Sequence, residues 1–92
     1  SELDDVKVRL KNMRKELAGS LKNKTNSHDF SHIVRANGMF SFLGITTEQV
    51  QALKSQYGIY MEESGRINVA GITMENVSYL TDSIAKVLQS HQ

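Results

Sequence analysis

Leu3-Asp4-Asp5-Val6-Lys7-Val8-Arg9-Leu10-Lys11-Asn12-Met13-Arg14-Lys15-Glu16-Leu17-Ala18-Gly19-Ser20-Leu21 carries the strongest periodicity in the chain. Leu3, Val6, Leu10, Met13, Leu17 and Leu21 recur at steps of three and four, which draws one apolar stripe along an α-helix. Glu2, Asp4 and Asp5 stand at its start and Arg14, Lys15, Lys22 and Lys24 in its later turns, so both ends suit the helix macrodipole. A helix over about 2–24 is predicted. The basic residues read as a solvated helix face. A nucleic-acid face is disfavoured, because acids intervene and 11 Lys and Arg against 10 Asp and Glu leave a formal net charge of only +1.

Beyond Lys24, the run Thr25-Asn26-Ser27-His28-Asp29 has turn chemistry and ends the helix. Phe30 to Phe42 reads as strand interrupted by Asn37 and Gly38, where a glycine suggests a bulge that re-aims Met39 and Phe40. Alternation leaves the face of Phe40 open. Thr46 with Gln49 three residues on forms a capping-box pattern, opening a short helix with Val50 and Leu53 that closes at Tyr57 and Gly58. Ile59–Met61 and Arg66–Ala70 read as two strands of a hairpin joined through Glu62, Glu63, Ser64 and Gly65. A last helix starts at Thr73 and runs almost to the C-terminus on Val77, Leu80, Ile84 and Val87 or Leu88. The order helix, strand, helix, two strands, helix predicts an α+β fold, a small, largely antiparallel sheet packed with helices.

The length of 92 residues fits a single domain over 1–92, one that hides only about 60 to 65% of its unfolded surface. A large enclosed cofactor cavity does not fit that size. With no cysteine there is neither a disulfide framework nor a thiolate zinc site, which suits a reducing compartment. No apolar run approaches the roughly 20 residues of a membrane-spanning helix, and the acidic N-terminus is unlike a signal peptide. No repeat, proline or long Gly or Ser tract marks an internal linker. The chain enters its first helix directly after Ser1, as a chain cut from a longer one often does.

Catalytic and metal constellations are sparse. His28 and His32 are four apart, but no Cys or carboxylate set accompanies them, so capping, surface exposure or packing beside Phe30 is the better reading. His91 lies in the tail. No serine sits in a nucleophile elbow, and Gly38, Gly44, Gly65 and Gly71 have none of the phosphate-loop spacings. Each glycine reads as a turn, bulge or cap. Arg66 stands just after Ser64 and Gly65, where a fixed backbone could aim a guanidinium, yet spacing alone favours a surface salt bridge.

Asn37-Gly38-Met39-Phe40-Ser41-Phe42 and Ser64-Gly65-Arg66-Ile67-Asn68-Val69-Ala70-Gly71 resemble the closing motifs of aspartate aminotransferases, in that family's order, with Thr47-Glu48-Gln49-Val50 between them. The likeness runs from about Met13 to Leu88. It implies the C-terminal small domain of a fold-type-I pyridoxal-phosphate enzyme, with the first helix being the end of the interdomain helix. Arg66 then matches the arginine that grips the substrate's α-carboxylate, for which a planar guanidinium offers two parallel donors. Phe40 matches an aromatic that lines the substrate pocket, a core phenylalanine being the other reading.

The resemblance further implies pyridoxal phosphate in the parent enzyme, amino-acid and 2-oxo-acid substrates, a large domain of the same protein, and a homodimer. It places the protein in the cytoplasm, with the mitochondrial matrix as the other compartment. No lysine here stands in the family's Schiff-base context, so the segment is expected to hold no catalytic or cofactor-binding residue, to bind no cofactor alone, and to be inactive by itself. An aromatic-amino-acid aminotransferase of the same subgroup is the nearest alternative, and a free-standing, non-catalytic interaction module is the alternative from another class. No metal, nucleic acid or membrane is expected as a partner.

Overall fold

In the computed structural model, residues 2–25 and 29–90 are described, the side chains of the first two of these excepted. Leu3's place on the stripe, His28 and His91 therefore lie outside what is described. The described residues form four α-helices, α1 (Glu2–Thr25), α2 (Ser31–Arg35), α3 (Thr47–Tyr57) and α4 (Val77–Ser90), and two short strands, β1 (Phe40–Phe42) and β2 (Arg66–Asn68). A 3-10 turn, Val69–Gly71, follows β2. The architecture is α+β, with helices around a two-stranded antiparallel sheet, as the sequence predicts.

Capping explains where α3 and α4 begin. Thr46 Oγ1 accepts from the Gln49 amide at 3.1 Å while Gln49 Oε1 accepts from the Thr46 amide at 2.8 Å, completing the predicted capping box. The helix stops where Gly58 takes φ +67, donating its N–H to Leu53 and Lys54. Thr73 and Asn76 bond reciprocally in the same way, at 2.9 and 3.2 Å. Val77 N–H then reaches Thr73 O at 2.9 Å, so Thr73 opens the turn that leads into α4.

Three strand predictions are corrected. The first half of Phe30 to Phe42 is the short helix α2, entered through Phe30 just after a local turn in which Asp29 Oδ1 accepts from the Ser31 amide at 2.9 Å. Helical spacing buries Phe30 and Ile33 together, an arrangement that strand alternation would split. Gly38 lies in the bend before β1 rather than in a bulge within a strand. Ile59–Met61 is not a strand: β2 pairs with β1 instead, through Phe40 opposite Asn68, Ser41 opposite Ile67 and Phe42 opposite Arg66. The strand predicted over Arg66–Ala70 ends at Asn68, whose Oδ1 accepts from the Ala70 amide at 2.9 Å and turns the chain into the 3-10 segment.

The core lies among the C-terminal half of α1, α2, α3 and α4. Leu17 and Leu21 meet Ile33, Leu43, Leu53, Ile84 and Val87, all nearly or wholly excluded from solvent. Each such aliphatic side chain contributes about 1.5 to 3 kcal/mol relative to exposure. The other half of the α1 stripe is different: Val6 is 45% exposed, so the helix projects from the body.

The basic residues of α1 are not uniformly solvated either. Lys24 Nζ reaches Thr81 Oγ1 at 2.7 Å and Asp82 at 2.8 Å on α4. Arg14 is 3% exposed and donates to three backbone carbonyls, Ile33 at 3.1 Å, Gly38 at 2.6 Å and Phe40 at 2.8 Å. One guanidinium thus ties the end of α2 and the entry to β1 onto α1. Burial lowers the Arg14 pKa from its ordinary value, yet an arginine so placed stays charged.

Candidate carboxylate-binding site

Side chains alternate along paired strands, so the register places Phe40, Phe42, Arg66 and Asn68 on one face. Ser41, between the two phenylalanines, is buried, whereas Phe40 is 43% exposed. The structure therefore settles the face that alternation left open: Phe40 is not a core phenylalanine in this chain. Arg66 lies directly opposite Phe42 but leans to the diagonal neighbour, its guanidinium carbon 4.5 Å from the centre of the Phe40 ring. Both residues singled out in the sequence thus meet, across a sheet that joins segments more than 20 residues apart.

The guanidinium has a second partner. Glu62 takes it as a fork, Oε2 accepting from Nε and Oε1 accepting from Nη2 at 2.8 Å. The surface salt bridge expected from spacing is present, together with the aromatic contact that spacing did not foresee. The hydrogen bond from Arg66 holds the Glu62 carboxyl below its ordinary range, and the same bond raises Arg66. Nη1 makes no hydrogen bond among the described residues.

The turn that sets this geometry depends on Gly65. Its N–H donates to Glu62 O at 2.8 Å and its φ is +81, a left-handed conformation that L side chains rarely adopt. A Cβ there would also meet Ile45 Cγ1 at 3.4 Å. The ladder continues past β2 at both ends, Leu43 N–H to Gly65 O at 2.9 Å and Val69 N–H to Met39 O at 2.6 Å. Arg66 therefore leaves a backbone held on both sides.

Arg66 and Phe40 open onto a cleft of about 530 Å³, with an apolar wall that includes Ile59, Met61, Ile72 and Leu80. Tyr79, also on the cleft, donates its hydroxyl to Tyr57 O at 2.7 Å and ties α4 to the end of α3. His32 is elsewhere: a ring nitrogen lies 2.8 Å from Phe42 O and the ring 6.4 Å from that of Phe30, the packing role expected of it. Among the described residues, no group of three His, Cys, Asp or Glu could hold a metal ion, and no helix is long and apolar enough to cross a membrane.

Residues 1–84 match the model of the family described as aminotransferase class I and II. The chain belongs to the class I and II aminotransferases. It is 51% identical over 88 residues to an aspartate aminotransferase of Haemophilus influenzae, covering 96% of this chain and 22% of that protein. A mitochondrial aspartate aminotransferase structure from Trypanosoma brucei superposes with a TM-score of 0.89 at 42% identity, covering 94% of this chain and 23% of that one. An aromatic amino acid aminotransferase structure from Psychrobacter sp. B6, cocrystallised with aspartic acid, gives 0.84 at 41%, covering 88% and 20%. The chain thus spans about a fifth of the length of these aminotransferases. The family match is wider than the Met13 to Leu88 span read from the motifs at its N-terminal side, since it takes in α1 from the beginning.

Aminotransferases of this family use pyridoxal phosphate, which asks for a lysine amine and an anion cradle. Among the described residues the cleft is lined by no lysine, and its cation, Arg66, already holds Glu62. The described residues lining this cleft supply no such amine, and what Arg66 does there is hold the Glu62 carboxylate through two donors. The aminotransferase motifs pointed to Arg66 and Phe40 but not to Arg14, which holds β1 in place, nor to Glu62. Arg14 had a signal: it is four residues after Leu10 and three before Leu17, on the apolar stripe itself.

Proposed function

We propose that this chain is the C-terminal small domain of an aspartate aminotransferase, and that Arg66 grips the α-carboxylate common to its amino-acid and 2-oxo-acid substrates. The observation that carries the reading is the fork between Arg66 and Glu62, with the Arg66 guanidinium against Phe40 at 4.5 Å: the side chain is already posed to bind a carboxylate through two donors. Two parallel N–H donors fix orientation as well as charge, which a lysine cannot do. Orientation matters because the substrate's α-carbon must be presented to the reacting groups in one pose. Phe40 restricts the guanidinium plane and sheds water from one face of the ion pair.

The parent enzyme transfers an amino group between an amino acid and a 2-oxo acid, and pyridoxal phosphate supplies the electron sink for that transfer. Cofactor and catalytic lysine belong, in this reading, to a large domain outside the segment, and the segment alone has no transaminase activity. The exposed first half of α1, with Val6 45% and Val8 57% open, supports taking this helix as the end of the interdomain helix. Residues 1–92 then form one domain of a homodimeric enzyme. A cysteine-free chain suits the cytoplasm or the mitochondrial matrix.

Arg66→Lys in the full-length enzyme tests the reading. The substitution keeps the charge and loses the fork, so kcat/KM should fall by about two decades, with kcat affected as well as KM. The melting temperature should hardly move, since an exposed ion pair adds little to folding. Near-normal kcat/KM would remove Arg66 from the site, and lost activity with a collapsed melting temperature would make it structural.

A further inference from the structure

We propose that Glu62 is an internal competitor for the carboxylate site of Arg66, holding the fork until a substrate carboxylate displaces it. The proposal rests on the reading of Arg66 given above. Its geometric basis is that Glu62 does not merely lie near the arginine. It presents both carboxylate oxygens to two guanidinium nitrogens, the arrangement a substrate carboxylate would need.

The competitor is tethered. The tight turn closed by Gly65 N–H to Glu62 O brings the two side chains together across four residues, so Glu62 acts at an effective concentration in the millimolar range or above. It is also displaceable. Arg66 and Glu62 are 38% and 54% exposed, and pairs this open to water are weakly held and exchange quickly. Phe40 contacts the guanidinium independently of Glu62, so the plane keeps a support while the carboxylates exchange.

A weakly held pair is occupied roughly half to four-fifths of the time, and apparent affinity falls by the fraction of free sites. Glu62 should therefore weaken carboxylate binding about two- to five-fold. A second consequence separates competition from support: if Glu62 only braced Arg66, its removal would weaken binding.

The test uses the full-length holoenzyme bearing this segment, as wild type, Glu62→Gln, Arg66→Lys and the double variant. Succinate, a dicarboxylate with no amino group to transfer, is titrated by calorimetry, and kcat and KM are measured alongside. Glu62→Gln should lower the succinate dissociation constant and the substrate KM about two- to five-fold with kcat unchanged, and should do nothing in the Arg66→Lys background. Unchanged or weaker succinate binding in Glu62→Gln overturns the competition, as does an equal gain when Arg66 is already replaced. If Arg66→Lys itself leaves succinate binding and kcat/KM intact, the carboxylate reading of Arg66 has failed. A damaging Arg66→Lys with a silent Glu62→Gln removes only the competitor.

Discussion

Replacing Arg14 with methionine should be among the most damaging single changes in this domain, although the residue lies among lysines on a charged helix. The residue is 3% exposed, and its guanidinium serves the Ile33, Gly38 and Phe40 carbonyls at 3.1, 2.6 and 2.8 Å. Methionine fills much of the stem volume, so the loss is chiefly polar. The hydrogen bond to Ile33 O is buried, and leaving that acceptor unpaired costs about 1 to 3 kcal/mol. The Gly38 and Phe40 carbonyls are partly buried and can recruit water, at about 0.5 to 1 kcal/mol each. The sum is about 3 kcal/mol, reduced somewhat because a charge no longer has to be desolvated. Against a total of about 5 to 14 kcal/mol for a domain of this size, that is a large share. In urea, with an m-value near 1.2 kcal/mol per molar, the midpoint should fall by about 2 M. Lys11→Met, on an exposed position of the same helix, is the control and should shift the midpoint little. If Arg14→Met moves the midpoint no more than Lys11→Met, the three carbonyls find other partners and the clamp reasoning is wrong.

Two further outcomes follow from the turn and the caps. Gly65→Ala places a Cβ at φ +81 and 3.4 Å from Ile45 Cγ1, so it should cost about 1 to 2 kcal/mol and lower the melting temperature; an unchanged melting temperature would show that the turn relaxes freely. Acid should remove stability through Asp29 and Glu62, whose carboxyls are held below their ordinary values of 3.8 and 4.5, Asp29 first by the Ser31 amide and Glu62 by Arg66. Because these folded-state values are depressed, the contribution is complete above the ordinary carboxylate range and is lost as pH falls through the folded values. The variant Asp29→Asn/Glu62→Gln should show a shallower fall in melting temperature from pH 5 to pH 2, and an identical slope would exclude both groups as the source.

What could be read from the sequence followed the range of the interactions involved. α1, α3 and α4 were legible because stripes and capping boxes are local, and the Thr46 and Gln49 pair needs only its own four residues. The helix α2 escaped because five residues hold barely one turn, too few for a 3.6 period to stand out from alternation, though Asp29 before Ser31 was a usable start signal. The hairpin reading recognised the turn at Gly65 and chose the wrong partner strand, since nothing local says that β2 will pair with residues 40–42 rather than 59–61. The contact of Arg66 with Phe40 depends on that same non-local pairing, so residue spacing yielded only the salt bridge and the family motifs supplied the rest.

Arg14 is the instructive omission, for it stands four residues after Leu10 and three before Leu17, dividing their spacing into the same steps of four and three that build the stripe. A residue in register with buried leucines shares their environment whatever its charge, and a guanidinium taken out of water must find acceptors. Carbonyls are the acceptors every irregular segment has to spare, at the end of a short helix and at a bend before a strand. The charge on the stripe therefore foretold a neighbouring loop pinned by its backbone, and it is this pinning that brings β1, and with it Phe40, to the place where Arg66 can reach it.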